Sequence, residues 1–244
     1  MKVGVIGAGV MGSGIAQVTA TAGYETVCYD LDAGALERAL EHVTTGRYGF
    51  ERGVERGKMS RADADAAVAR LTFTSSFDEA AAVDLVVEAV PENLELKQQV
   101  FRDLDAAAPA TTILASNTSG FPIVQIAEVT SRPELVIGWH WASPPVVMRL
   151  AEIIRAPGTS DATVDTVTDV AAACGKNPVV INDTTTAWGF VANRVYFAMI
   201  QEANRVVEEG IATREQVDTL MVDCFNWPVG PYGMTRGATS GWDK

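Results

Sequence analysis

Paired cysteines and clusters of histidines are missing from this sequence. Its three cysteines, Cys28, Cys174 and Cys224, form no CxxC pair, and their odd number does not fit a disulfide framework. The only histidines, His42 and His140, lie far apart along the chain. These shortages exclude a small zinc-binding or disulfide-stapled protein. We therefore predict no metal site and expect a reducing, cytoplasmic location.

Positive charge is scarce as well. The chain has 19 Lys and Arg residues against 31 Asp and Glu, a net charge of −12, which repels phosphate backbones and argues against a nucleic-acid partner. No charged residue occurs from Val3 to Tyr24, a stretch about as long as a membrane span. Six glycines within that stretch would make a poor isolated helix, so we interpret it as a buried strand, a turn and a helix. We predict no membrane partner.

Apolar runs rich in Val, Ile and Thr alternate with amphipathic stretches, which is typical of parallel strands joined by helices. The pattern predicts an α/β fold: a mostly parallel sheet with helices on both faces in residues 1–183, then a small all-helical domain in residues 184–244. The predicted strands are KVGVI, ETVCYD, LTFTS, VDLVVEAV, TTILASN, LVIGWHW, RLAEIIRA and NPVVIN. The predicted helices are residues 12–22, 33–45, 61–70, 93–107 and 160–174, with further helical periodicity in 189–210 and 213–225. From residue 226 onward, glycine and proline predict an irregular segment.

A glycine pattern typical of dinucleotide binding follows the first strand. Gly7, Gly9 and Gly12 have GxGxxG spacing and open a helix, and a second strand ends in Asp30, where a carboxylate would bind an adenosine ribose. No Lys or Arg follows Asp30 until Arg38, so a ribose 2′-phosphate would meet negative charge, which favours NAD over NADP. A glycine-rich turn without a ligand and an FAD site remain alternatives.

The two histidines have different surroundings. His42 lies in a polar helical stretch, and we expect it to face solvent. His140 ends an apolar strand, at the sheet edge where ligands of open α/β folds bind, and Glu152 follows twelve residues later in RLAEII. A buried carboxylate needs a partner, and imidazole can take a hydroxyl proton near neutral pH. Spacing alone leaves a catalytic pair and a purely structural pair equally open.

An ordered set of motifs covers nearly the whole chain: VDLVVEAVPENLELKQQVFRDLDAAAPATTILASNTSGFPI, GWHWASPPVVMRLAEII, GFVANR, EGIATREQVD and WPVGPYGM. This set resembles the L-3-hydroxyacyl-CoA dehydrogenase family, including bacterial 3-hydroxybutyryl-CoA dehydrogenases. The resemblance implies a Rossmann NAD domain, a helical domain that closes over an acyl-CoA thioester, and a homodimer.

Site residues follow from the same resemblance. It implies catalytic roles for His140, Glu152, Ser119 and Asn193, with Ser119 also touching the nicotinamide. The cofactor-binding residues that the glycine pattern and the resemblance together predict are Gly7, Gly9, Val10, Met11, Gly12, Asp30, Glu92, Lys97, Asn117, Ser119 and Ser143.

Three differences from the family pattern stand out. Ser143, in HWASP, replaces the asparagine of the usual HFFNP, which leaves room for water or a different substrate. The hinge DTTTAWGF is longer than the family's DTPGF and has lost its proline, so domain closure is expected to differ. The chain also ends soon after WPVGPYGM, which implies a shortened helical domain with a different interface or a smaller acyl pocket.

The sequence therefore predicts an NAD-dependent enzyme that interconverts an (S)-3-hydroxyacyl thioester and its 3-oxoacyl form. Two alternatives stay open. The first is a dehydrogenase of a free hydroxy acid, gulonate- or carnitine-like, whose carboxylate would need Arg149 or Arg194. The second is a non-catalytic NAD-binding homologue. Arg47, Arg52 and Arg56 are possible contacts of CoA phosphates.

Overall fold

The computed structural model describes residues 1–184 and 188–239, with side chains up to residue 235. The chain forms two compact units, and the boundary between them follows Trp188. The strands are β1 (Lys2–Ile6), β2 (Glu25–Tyr29), β3 (Leu71–Thr74), β4 (Leu85–Glu88), β5 (Ile113–Ser116), β6 (Val136–Trp141), β7 (Leu150–Arg155) and β8 (Asn177–Asn182). The helices are α1 (Val10–Thr21), α2 (Ala33–Thr44), α3 (Phe50–Glu55), α4 (Arg61–Ala69), α5 (Phe77–Ala81), α6 (Leu94–Ala107), α7 (Ile123–Ala127), α8 (Asp161–Ala173), α9 (Val191–Glu208), α10 (Arg214–Phe225) and α11 (Pro231–Thr239), with a 3₁₀ turn at Pro133–Leu135.

The first unit is built on one eight-stranded sheet of order β3-β2-β1-β4-β5-β6-β7-β8. All neighbouring strands are parallel except β6 and β7, which are antiparallel. Every residue of β4 and β5 is buried, which requires cover on both faces of the sheet. The predicted Rossmann-type α/β fold with a helical C-terminal region is confirmed. The chain order reverses between β1 and β4, and such a switch point leaves a crevice at the carboxyl ends of the strands.

The core of this unit lies between the sheet and helices α1 and α8, where Ile15, Val167 and Trp139 are fully buried. Trp139 and Trp141 point to the same face of β6, and their rings lie 4.7 Å apart. Because side chains alternate along a strand, His140 must point to the opposite face. The core thus fixes the orientation of that histidine.

Helices α3, α5 and α7 were not predicted because they are too short to show a period in the sequence. In α7, the start of the helix is held by a residue that is distant in the sequence. The carboxylate of Asp183, just after β8, accepts hydrogen bonds from the backbone N–H groups of Ile123 (3.0 Å) and Val124 (2.8 Å) at the start of α7. A contact that spans 60 residues leaves no local signal.

The second unit packs α9, α10 and α11 around Tyr232. The prediction of an irregular segment after residue 226 was wrong, because residues 231–239 form α11. Pro231 occupies the first helical position, where its missing N–H costs nothing. The Asp218 carboxylate accepts the N–H of Tyr232 (2.7 Å), and the Tyr232 hydroxyl donates to Asn204 Oδ1 (3.0 Å). Among the described helices, none is both long and apolar enough to cross a membrane.

The expectation that His42 faces solvent was also wrong. Its Nδ1 lies 2.9 Å from the hydroxyl of Ser13, because α2 packs across α1 and turns this side chain inward. Burial lowers the pKa of His42 below its ordinary value of 6.5.

As the pH falls from about 7 to 5, the range around the ordinary histidine pKa, we expect the free energy of unfolding to decrease less in His42→Gln than in the wild type. The folded protein binds a proton at His42 less readily than the unfolded chain does, so acidification favours unfolding in the wild type. Urea unfolding followed by tryptophan fluorescence at each pH measures this difference. Equal pH slopes for both proteins would contradict it.

Candidate active site

The glycine turn between β1 and α1 is shaped for close backbone approach. Gly7 has a φ of +104°, which disfavours any residue with a side chain, and its N–H donates to the carbonyl of Tyr29 (2.8 Å). A Cβ at Gly12 would overlap the carbonyl oxygen of Gly7, so only glycine allows this helix to pack against the turn.

The N-terminus of α1 is open. Gly9 is its N-cap, and the helix has no side-chain cap there. A Cβ built on Gly9 would meet no atom within 4 Å. The first N–H groups of α1 thus face a space that a pyrophosphate can enter, and the helix dipole favours an anion at that end.

Asp30 lies at the end of β2, on one side of this turn. Its carboxylate accepts hydrogen bonds from the N–H groups of Ala8 (2.8 Å) and Asp32 (3.0 Å), which fix its position. Asp32 caps α2 through Gly34 and binds Arg38 (3.1 Å), and these hydrogen bonds hold the pKa of Asp32 below its ordinary value. Because Asp32 occupies Arg38, the first basic side chain after β2 is not free to bind a ribose 2′-phosphate.

A cleft of about 860 Å³ runs along the carboxyl ends of β2, β1, β4 and β5. Its volume is suited to a cofactor. Every predicted cofactor-binding residue lines it except Gly12 and Ser143. Gly12 lies behind the turn, against Gly7. Ser143 is exposed in the loop between β6 and β7. The open helix end, the fixed carboxylate and the size of the cleft fit a dinucleotide.

A charge cluster lies at one end of the cleft, and its fully buried carboxylate, Glu88, was not predicted. The Lys97 ammonium lies 2.7 Å from Glu88 Oε1 and 3.2 Å from Glu92 Oε2. Glu88 also accepts hydrogen bonds from the Ser116 hydroxyl (2.6 Å) and the Val90 N–H (2.8 Å). Burial raises the pKa of Glu88, and the ammonium of Lys97 opposes that effect.

Glu92 connects this cluster to the loop after β5. Its Oε1 accepts hydrogen bonds from the Thr118 hydroxyl (2.6 Å) and the N–H of Ser119 (2.9 Å). The backbone of Ser119 is therefore fixed by a carboxylate that Lys97 holds in turn. This places the predicted residues Glu92, Lys97 and Ser119 in one hydrogen-bonded group.

His140 and Glu152 face each other across β6 and β7. They are paired in the antiparallel register, and His140 Nδ1 lies 2.6 Å from Glu152 Oε2. Both side chains are buried. A carboxylate at Nδ1 selects the tautomer in which that nitrogen carries the proton, which makes Nε2 the basic nitrogen of the neutral ring.

Asn117 links this pair to the cleft. It lines the cleft, and its Oδ1 accepts the N–H of Trp141 (2.9 Å), the residue after His140. Its own N–H donates to the carbonyl of Glu88 (2.8 Å). The strand that carries His140 is therefore hydrogen-bonded to a wall of the cleft.

The remaining residues named from the sequence belong to other elements. Asn193 and Arg194 are in the first turn of α9, in the second unit. Arg149 donates a hydrogen bond to Asn177 Oδ1 (2.9 Å) and lies outside the dinucleotide cleft. Arg52 pairs with Glu55 (2.7 Å). Part of the DTTTAWGF hinge, residues 185–187, lies outside the described residues.

Comparison with known proteins agrees with this geometry. Residues 2–184 match the NAD-binding domain of 3-hydroxyacyl-CoA dehydrogenases, and residues 189–242 match their C-terminal domain. This chain belongs to the 3-hydroxyacyl-CoA dehydrogenase family. The resemblance expected from the sequence motifs is confirmed. As a member of that family, the chain is an NAD-dependent oxidoreductase that acts on a CH–OH group.

Individual members of the family align with most of this chain. A probable 3-hydroxybutyryl-CoA dehydrogenase of Bacillus subtilis is 41% identical over 230 residues, 94% of this chain and 78% of that protein. The crystal structure of (S)-3-hydroxybutyryl-CoA dehydrogenase from Ralstonia eutropha superposes with a TM-score of 0.89 at 37% identity, over 96% of this chain and 80% of that one. The 5-formyl-3-hydroxy-2-methylpyridine 4-carboxylate 5-dehydrogenase of Mesorhizobium japonicum is 35% identical, over 94% of this chain and 71% of that protein.

We expect Gly9→Ala to weaken NADH binding at least about tenfold while the melting temperature stays within about two degrees of the wild type. The new methyl group meets no protein atom but occupies the approach to the first N–H groups of α1. Fluorescence titration with NADH and a thermal melt measure the two effects. Gly12→Ala is the matched comparison and should lower the melting temperature, because its Cβ collides with Gly7. Unchanged NADH binding in Gly9→Ala would contradict the proposed phosphate position.

Proposed function

We propose that this enzyme interconverts an (S)-3-hydroxyacyl-CoA and the corresponding 3-oxoacyl-CoA, with His140 as general base and Glu152 as its positioning partner. The observation that carries the proposal is the buried hydrogen bond of 2.6 Å between His140 and Glu152, at the sheet edge that also forms the dinucleotide cleft. The family membership and the name of the Bacillus subtilis relative support the thioester substrate.

The chemistry requires two transfers from the substrate carbinol. In oxidation, Nε2 of His140 takes the hydroxyl proton while the carbon–oxygen double bond forms, and Glu152 stabilises the resulting imidazolium. NAD supplies the acceptor for the hydride in this direction and, as NADH, the donor in the other. In reduction, the imidazolium of His140 returns the proton to the carbonyl oxygen. We assign Ser119 and Asn193 to hold that oxygen.

The proposed cofactor contacts are distributed along the cleft. Asp30 binds the adenosine ribose, and the turn of Gly7, Gly9 and Gly12 with the N–H groups of Val10 and Met11 binds the pyrophosphate. Glu92, Lys97, Asn117 and Ser119 lie at the nicotinamide end. Ser143 stays a prediction, because it lies outside the cleft lining. A domain boundary near residue 183, closure by the helical domain, a homodimer and a cytoplasmic location also stay predictions.

The direct test is oxidation of NADH by purified protein with acetoacetyl-CoA, followed by NADH absorbance. We expect saturable turnover with acetoacetyl-CoA and none with acetoacetate at the same concentration. Tight NADH binding without any turnover on acyl-CoA substrates would instead favour the non-catalytic homologue.

We expect His140→Gln to lower kcat roughly 100- to 10,000-fold, because it removes the group that accepts and returns the proton. The Kd of NADH, measured by fluorescence, should change less than about twofold, since His140 does not line the dinucleotide cleft. A variant that retains most of the wild-type rate would refute the assignment.

We expect Glu152→Gln to lower kcat by about two to four orders of magnitude, because an amide no longer stabilises the imidazolium. In the His140→Gln background the same change should have little further effect, since Glu152 acts through His140. Steady-state rates of both single variants and the double variant measure this coupling. Additive losses would show that Glu152 acts independently of His140.

A second candidate is a dehydrogenase of a free carboxylic acid, favoured by the similarity to the Mesorhizobium japonicum enzyme named for a pyridine carboxylate substrate. Of the two arginines considered for this role, Arg149 is bound to Asn177, whereas Arg194 is exposed in α9. Arg194→Ala would raise the KM of hydroxy acids but not of hydroxyacyl-CoA if this candidate is correct.

A further inference from the structure

The cleft that binds the dinucleotide has an unusual charge balance. Of the described residues that line it, three carry carboxylates, Asp30, Glu92 and Asp103, and the only cationic side chain is Lys97. That ammonium is already paired with both Glu88 and Glu92, at 2.7 and 3.2 Å. The cluster of Glu88, Glu92 and Lys97 therefore has one carboxylate more than it has cations.

Both carboxylates of the cluster accept hydrogen bonds from several donors. Glu88 accepts from Lys97, Ser116 and the Val90 N–H. Glu92 accepts from the Thr118 hydroxyl and the Ser119 N–H. Each of these donors stabilises an ionised carboxylate more than a neutral carboxyl group. Burial raises the pKa of Glu88, and these donors oppose that effect. With both carboxylates ionised, the cluster has one excess negative charge, and Glu88 has no access to solvent that would screen it.

The strand order places this charge at the nicotinamide end. Asp30 follows β2, on one side of β1, and marks the adenosine end. Glu88 ends β4, on the other side of β1, and Glu92 and Lys97 follow it in the chain. With the pyrophosphate at α1 between them, the nicotinamide half of a bound dinucleotide would lie toward the end of β4.

From this placement we infer that the Glu88–Lys97–Glu92 cluster sets the preference of the enzyme for oxidised over reduced cofactor. The oxidised nicotinamide ring carries one positive charge that the reduced ring lacks, so excess carboxylate favours NAD⁺ relative to NADH. In the oxidation direction, hydride transfer would then convert an attracted ring into an uncharged one and assist its release. This inference rests on the cofactor contacts of the proposed function and adds a role for Glu88.

The test is the ratio of two equilibrium constants, Kd(NADH)/Kd(NAD⁺), measured without substrate. Fluorescence titration gives the first constant and calorimetry the second, at one pH and ionic strength. We expect Glu88→Gln and Glu92→Gln to lower the ratio roughly three- to thirty-fold, the range for one unit charge about 8–10 Å away at an effective dielectric constant of about 20–40. Lys97→Gln should not lower the ratio: it removes a positive charge, and a proton that the buried Glu88 then takes up restores at most the charge that was lost.

The sign of the shift separates an electrostatic role from a structural one, because a change that only loosened the cleft would shift the ratio alike whether a carboxylate or the ammonium is removed. Asp30→Asn is the matched control: it removes a carboxylate from the same cleft at the adenosine end. It should weaken both cofactors and leave the ratio within about twofold. If the buried substitution Glu88→Gln prevents folding, the Glu92 and Lys97 variants carry the test, since Glu92 is partly exposed.

Two results would overturn the inference. In the first, Glu88→Gln and Glu92→Gln both leave the ratio within about twofold of the wild type. In the second, Lys97→Gln lowers the ratio as the two glutamate variants do. These outcomes are distinct from a failure of the proposed function. A wild-type protein that binds both cofactors but does not turn over acyl-CoA would refute the substrate and leave the ratio measurable. A wild-type protein that binds neither cofactor would refute the cleft assignment and this inference together.

Discussion

Two carboxylates buried in the sheet constrain the rest of the site, because an uncompensated buried charge is too costly to keep. Glu152 in β7 is compensated by His140 in the neighbouring strand β6. Glu88 at the end of β4 is compensated by Lys97 from α6. Each pair stabilises the association of two elements and also supplies charged groups to the functional edge of the sheet. Stability and chemistry therefore depend on the same contacts.

The two pairs are connected through the loop after β5. Asn117 binds the backbone of Glu88 on one side and that of Trp141 on the other. Glu92 fixes the adjacent Ser119 backbone. A change at the charge cluster can therefore displace the strand that carries His140, even though the two pairs share no side chain. This arrangement gives the proposed NAD cleft and the proposed proton acceptor a common frame.

Much of the fold and part of the site were predictable, and the reasons for the rest are specific. The eight strands are apolar runs, the long helices have a periodic pattern, and the GxGxxG turn is local in sequence. The signal that indicates Glu152, a carboxylate in an apolar run, is also present at Glu88 in LVVE, although Glu88 was not predicted. The prediction that His42 faces solvent was wrong because the polar composition of its helix does not reveal that Ser13 of another helix lies against it. The prediction of an irregular segment was wrong because proline breaks a helix only in its interior, whereas Pro231 starts α11.

The sequence by itself determined the class of fold, the dinucleotide turn, the choice of NAD and the residue types available for catalysis, because each of these depends on local spacing or composition. Only the tertiary structure decided which charges meet. The antiparallel register pairs His140 with Glu152, and the packing of α6 places Lys97 between Glu88 and Glu92. Such contacts depend on strand order and helix packing, which join residues far apart in the chain, and electrostatic energy depends on distances that no spacing in the sequence records.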